Sequence, residues 1–223
     1  KITSTETFET TGSVQFIDED RLVIAANSDF DFGTGDFTVE WWQYLNGPQI
    51  EYQTVLSINY GTNPNLAIQS ATTTGTAQKV YVNGTTVTFT EESDGPISTW
   101  AHYALVRNGS GFNNLKIYRD GVQTGQGTYT GDIGSSSSTN YIGGFYTHNN
   151  LDLKGFISNF RIVKGTALYT ANFKPPMREL ENIPGTVLLC CQSKTDASHE
   201  KTGKTITVLG DAVASELTPG ILT

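Results

Sequence analysis

Apolar and polar positions alternate with a period of two along much of the chain. In residues 37–42, Phe37, Val39 and Trp41 fall on one face, and Thr38, Glu40 and Trp42 on the other. Residues 85–90 set Val87 and Phe89 against Thr86, Thr88 and Thr90. In residues 155–163, Phe156, Phe160 and Ile162 share one side, while Asn159 and Arg161 take the opposite one. Short runs of alternating β-branched and aromatic residues, bounded by Gly, Asn and Asp, predict half-buried strands. Asn83-Gly84 separates two such runs, and Asp120-Gly121 follows another at 115–119. Both dipeptides tolerate the positive φ of a tight hairpin. Residues 108–114 read as a longer loop between strands. A helical turn is expected only at 165–172, closed by Pro175-Pro176, which cannot continue a helix.

A succession of short strands with no long amphipathic helix predicts an all-β, two-sheet antiparallel sandwich. We read residues 1–223 as one domain with its core over about 12–180. After a composition shift at 182–185, two further strands are expected at 187–192 and 205–209. They either complete the sandwich or begin a following repeat, because about 40 residues could hardly hold a core alone. Cys190 and Cys191 are adjacent, so on a strand they point to opposite faces, and ordinary disulfide geometry is out of reach. Without a disulfide framework, a reducing site of synthesis is expected.

Charge narrows the partners. The net charge is −8, which argues against nucleic acid, since phosphate contacts need clustered Lys and Arg. No apolar run approaches the roughly 18 residues that cross a bilayer, so membrane insertion is not expected either.

Several stretches together resemble one family. Gly12-Ser13-Val14-Gln15-Phe16, Leu22-Val23-Ile24 and residues 28–42 (SDFDFGTGDFTVEWW) resemble the opening of laminin-G-like domains, within the concanavalin A-like lectin/glucanase superfamily. Residues 100–107 (WAHYALVR) with 117–121 (IYRDG) resemble its central hairpin, and Ile142-Gly143-Gly144 with 155–162 its late strands. Residues 165–176 (GTALYTANFKPP) with 188–193 (LLCCQS) are similar to laminin-G-like modules in structural proteins of marine bacterial viruses, above all those of cyanobacteria. The resemblance spans about residues 12–210. It implies a jelly roll, usually non-catalytic, used in surface recognition or assembly.

The residues offer few catalytic constellations. The Glu-x-Asp-x-x-Glu string of related glucanases, which sets two carboxylates on one face for glycoside hydrolysis, does not occur. There is no Gly-x-Ser-x-Gly elbow, and 202–205 (TGKT) lacks the first Gly of a phosphate loop. His102 reads as structural. Asp29, Asp31 and Asp36 offer hard oxygens suited to calcium, with Asx-turns as the weightier alternative. No other cofactor is expected. For a saccharide, ring faces must meet CH groups while amides take hydroxyls. Tyr146, His148 and Asn149, in the 145–150 loop, have that mixture, and Trp42 with Tyr44, opposite core-facing Trp41, form a second candidate.

The expected function is therefore that of a non-enzymatic virion surface protein. It would be a tail-fibre module for host glycan or a capsid decoration, made in the host cytoplasm and bound to other virion proteins and to its own copies. The alternatives are an extracellular bacterial lectin or adhesin repeat and, last, a glucanase-like hydrolase.

Overall fold

The computed structural model describes residues 11–47, 52–59, 64–70, 78–87, 96–134, 137–145 and 151–220. Among them the chain forms β1 (Ser13–Phe16), β2 (Arg21–Ile24), β3 (Phe37–Leu45), β4 (Gln53–Ile58), β5 (Leu66–Ser70), β6 (Gln78–Val82), β7 (Thr85–Val87) and β8 (Trp100–Arg107). There follow β9 (Leu115–Arg119), β10 (Val122–Gly127), β11 (Asn140–Ile142), β12 (Gly155–Lys164), β13 (Thr186–Cys190), β14 (Ile206–Leu209) and β15 (Val213–Ser215). The rest of the 85–90 run, Phe89 included, lies outside the described residues.

Two antiparallel sheets result. One, here sheet A, has the order β10-β9-β8-β3-β12-β1-β15, with β13 also paired to β12. The other, sheet B, runs β14-β2-β11-β4-β5-β6-β7. The C-terminal strands pair with both: β13 and β15 with β12 and β1 in sheet A, and β14 with β2 in sheet B. The expected hairpins are present. Asn83 and Gly84 have φ of 47° and 73° between β6 and β7, and Asp120 and Gly121 have 50° and 77° between β9 and β10.

The space between the sheets is filled by the inward set of each strand, including Phe37, Val39 and Trp41 of β3, Tyr103 and Leu105 of β8, and Phe160 and Ile162 of β12. Trp41 stacks on Tyr103 with ring centroids 5.6 Å apart. Its indole N–H donates to Gln43 Oε1 at 3.0 Å, and Ser70 Oγ donates to the same oxygen, so the buried indole N–H is satisfied.

Three expectations need correction. First, Phe156 does not share a face with Phe160 and Ile162. The register of β12 against β3 shifts between Ser158 and Arg161, at Asn159 with φ of 51°. This β-bulge turns Ile157 into the core and Phe156 outward, then restores Phe160 to the core and leaves Arg161 outward. Second, residues 165–172 form no helical turn; the only short helix among the described residues is a 3₁₀ turn at Ser28–Phe30. The segment instead crosses the outer face of sheet A as an irregular strap. Its backbone groups find sheet partners in place of helical ones: Leu168 N–H donates to Thr38 Oγ1 (2.9 Å), Thr38 Oγ1 to Thr166 O (3.0 Å), and Phe173 N–H to Gly121 O (2.8 Å). Tyr169 and Phe173 stack at 3.6 Å and pack on Ala104, Val106 and Tyr118. Third, Cys191 has φ of 60°, which ends β13 and turns both thiols into the core, 3.7 Å apart.

Beneath the strap lies a buried ionic network. Glu40 is fully buried. It accepts from Arg161 Nε (2.9 Å) and Nη2 (2.5 Å) and from the Tyr169 hydroxyl (2.7 Å), with His102 Nε2 at 3.3 Å. Burial by itself raises the Glu40 carboxyl. The hydrogen bond and charge of His102, with Arg161 and Tyr169, outweigh burial and hold it below the usual value of 4.5. Its ionised form thus stabilises the fold fully above pH 4.5, and this contribution is lost as pH falls below that through its folded-state value.

Two outcomes follow. Arg161→Ala leaves a buried carboxylate short of its cation and costs about 3–5 kcal/mol in urea unfolding. Glu40→Gln, followed by the same measurement across acid pH, lowers stability near neutrality and flattens its decline below pH 4.5; a decline parallel to the parent's would contradict the assignment.

Candidate ligand-binding surfaces

Register gathers several strand ends at one end of the sandwich: Leu45 opposes Gly155, Tyr44 opposes Trp100, and Gln53 opposes Ser70, which opposes Gln78. The stems of the 145–150 loop leave from here. Gly143 N–H donates to Val55 O, Leu153 N–H to Gly143 O, Lys154 N–H to Gln53 Oε1, and Asn46 N–H to Lys154 O. Arg21 grips Asp152 through Nε and Nη2, with the shortest contact at 3.0 Å. Burial pushes the Asp152 carboxyl up, and the hydrogen bond and charge of Arg21 pull against it. Gly144 is required above this pair, because a Cβ there would fall 2.3 Å from Asp152 Oδ1. Phe145 is buried. Tyr146, His148 and Asn149 lie outside the described residues, so the structure builds the base of their loop and not the loop itself.

The second candidate pair is divided. Trp42 is only 6% exposed, edge-on to His102, whose ring in turn meets Tyr169 and Phe173 of the strap. Its face is covered, so it offers no stacking surface. Tyr44, one pleat further from the strap, is half-buried and stands between Trp100 and Phe156, with ring centroids 5.8 Å from each. Trp100 and Phe156 are half-buried as well. The three occupy laterally paired positions on β8, β3 and β12, and Gln15 of β1 extends the row beyond Phe156. The sequence reading missed Trp100 and Phe156. Trp100 was visible as the first residue of its strand, whereas Phe156 was hidden by the bulge.

The outer face of sheet B carries a different arrangement. Lys79 Nζ lies 5.0 Å from the Tyr52 ring centroid and 4.8 Å from that of Tyr81. A cation already over both rings competes with a sugar for them. Beside it, Gln69 Nε2 donates to Thr54 Oγ1.

The acids considered for calcium are engaged separately. Asp29 pairs with Lys204 at 2.7 Å, Asp36 Oδ1 accepts from Gly109 N–H at 2.6 Å, and Asp31 closes the 3₁₀ turn through its N–H to Ser28 O. Asn27 caps that turn by accepting from Asp29 N–H, which is the Asx-turn arrangement. Among the described residues no three His, Cys, Asp or Glu side chains are grouped to hold a metal ion. Glu40, the most strongly engaged acid, faces Arg161, His102 and Tyr169 beneath the strap. Glycoside hydrolysis needs two carboxyl groups flanking an accessible bond, and Glu40 has neither the access nor such a companion in its network.

Solved structures share this architecture. The native heptameric SAP-like pentraxin of Limulus polyphemus superposes with a TM-score of 0.60 at 12% identity, over 92% of this chain and 94% of that one. A Bacteroides ovatus protein with a proposed carbohydrate-binding role superposes with a TM-score of 0.68 at 16% identity, over 92% of this chain and 60% of that one. No curated protein sequence matches the chain. The laminin-G model of the concanavalin A-like lectin/glucanases superfamily matches residues 18–169, more than half the chain, and the protein belongs to that family.

Proposed function

We propose that this chain is a lectin-like recognition module without catalytic activity, which holds a glycan against the row Trp100, Tyr44 and Phe156. One observation carries the reading: three half-buried aromatic rings lie on adjacent strands of sheet A, beyond the part of that face the strap covers. Aromatic rings set on paired strands are held without loop ordering, so a sugar face stacks on them at little conformational cost. Tyr146, His148 and Asn149, which precede β12 in the chain, would add amides and hydroxyls to the same ligand. The Bacteroides ovatus neighbour, with its proposed carbohydrate-binding role, supports the ligand class.

The biological setting we propose is the exterior of a bacterial virus particle, on a tail fibre or as a capsid decoration. The likeness of residues 165–176 and 188–193 to phage structural modules supports it. So does an acidic chain, which is ill suited to packing against DNA. Assembly with other virion proteins and with further copies of itself belongs to the same reading, and the pentraxin with a similar sandwich is a heptamer.

On a glycan array spanning host envelope saccharides, Tyr44→Ala and Trp100→Ala should each weaken binding by about tenfold or more, with thermal midpoints kept within a few degrees. Unaltered binding by both variants would remove the row from the reading. No new reducing ends should appear with a panel of β-glucans; turnover would replace recognition by hydrolysis. Labelled-antibody imaging of purified particles should place the protein on tail or shell, and its absence there would favour an extracellular adhesin.

A further inference from the structure

At the opposite end of the sandwich, the 108–114 loop holds Phe112 86% exposed, where the other exposed large apolar side chains among the described residues reach at most 53%. The loop is not loose. Asn108 N–H donates to Asn114 O at 2.8 Å, Gly109 N–H to Asp36 Oδ1 at 2.6 Å, and Asn113 N–H to Thr128 Oγ1 at 2.8 Å. Asn114, only 3% exposed, ties the loop from beneath: its amide donates to Gly109 O and Tyr129 O, and its Oδ1 accepts from Tyr129 N–H. Asn113 adopts φ of 55°, a left-handed residue at the turn back into β9. A backbone fixed at so many points holds the base of the Phe112 side chain in place, with the ring out in water.

Other groups of the same loop suit a particular ligand. The side-chain amides of Asn108 and Asn113 make no hydrogen bond among the described residues and remain open as donors and acceptors. Arg107 is buried and donates to Gly33 O and Gly131 O, while Asp36 and Asp132 act on it electrostatically. Asp132 is exposed and Asp36 half-buried close to the loop, and both disfavour anionic lipid headgroups and acidic sugars.

We propose that the Phe112 loop is a second ligand site, which takes a neutral saccharide with the ring against its CH face and Asn108 and Asn113 on its hydroxyls. The site lies at the far end of β8 from Trp100, about 23 Å away at strand rise, so the two are separate contacts. The ligand class rests on the glycan-binding reading above; the location does not.

The test is amide-resolved NMR of the full chain, titrated with neutral gluco-, manno- and galacto-oligosaccharides, and separately with phosphatidylcholine/phosphatidylglycerol vesicles. The expected result is saturable shifts at Gly109, Gly111 and Asn113 with at least one oligosaccharide series. Phe112→Ala should weaken that response by about tenfold or more, Phe112→Tyr should keep it, and the thermal midpoint should not move. Silence of these amides across the panel, a parent-like titration of Phe112→Ala, or a response to vesicles alone overturns the proposal. Shifts at Tyr44 and Trp100 report on the other surface in the same spectra, so either site can fail while the other stands.

Discussion

One extra residue in β12 sets the layout of this molecule. A strand without irregularity alternates its side chains strictly, so Phe156 and Arg161 could not both face outward from sheet A. The bulge at Asn159 removes that conflict, and the surroundings hold it in place. Asn159 N–H donates to Cys191 O, and its side-chain oxygen accepts from Leu180 N–H and from Gln192 Nε2. Positive φ strains most residues, but asparagine tolerates it better than most. The bulge also marks where β12 changes partners, from β1 at 155–157 to β13 at 160–163. The outward aromatic row and the ionic seat of the strap are two consequences of the same irregularity.

What the strap gains from Glu40 is placement more than stability. Desolvating a carboxylate and a guanidinium offsets much of their attraction, so a buried pair is weak evidence of net stabilisation. Its directional contacts are another matter. Arg161 bridges Glu40 and the carbonyl of Glu181, Tyr169 reaches the same carboxylate, and Tyr118 donates to Tyr169 O. Apolar contact of Tyr169 and Phe173 with Ala104, Val106 and Tyr118 supplies the favourable burial, and the polar groups choose the register. The strap therefore covers one part of the outer face and leaves the Trp100 end open.

The sandwich was legible in the sequence because its signals are local. Alternation in residues 37–42 and the Asn83-Gly84 and Asp120-Gly121 dipeptides each report on backbone a few residues long. The failures were all decided by distant partners. Residues 165–173 carry Tyr169 and Phe173 at a helix-like spacing, yet backbone groups of the segment are claimed by Thr38 and Gly121, more than forty residues away in the chain. Alternation set Cys190 and Cys191 on opposite faces, and only the left-handed turn at Cys191 brings both inward. For the candidate sites, Tyr44 was recognisable from its outward position. Its neighbours Trp100 and Phe156 come from other strands, and pairing register is not written in any one of them. For Trp42 the sequence already allowed a second covered face or a subunit contact, and the structure buries it to 6% exposure.

These constraints bear on what the buried acids and the outward aromatic rings are each free to do. Catalysis by carboxylates needs an acid that stays accessible and a second group poised to exchange protons with it. Here the acids with the strongest surroundings, Glu40 and Asp152, are buried against arginines, Glu40 beneath the strap and Asp152 in the segment that leads into β12. Fixed in this way, they cannot approach a scissile bond without dismantling what they support. The aromatic groups are arranged in the opposite sense. Tyr44, Trp100 and Phe112 stand on backbone held by strand pairing or by dense loop hydrogen bonds, with ring surface left to solvent. The described buried charge is thus committed to architecture, while aromatic surface is left to solvent on backbone held by strand pairing and loop hydrogen bonds.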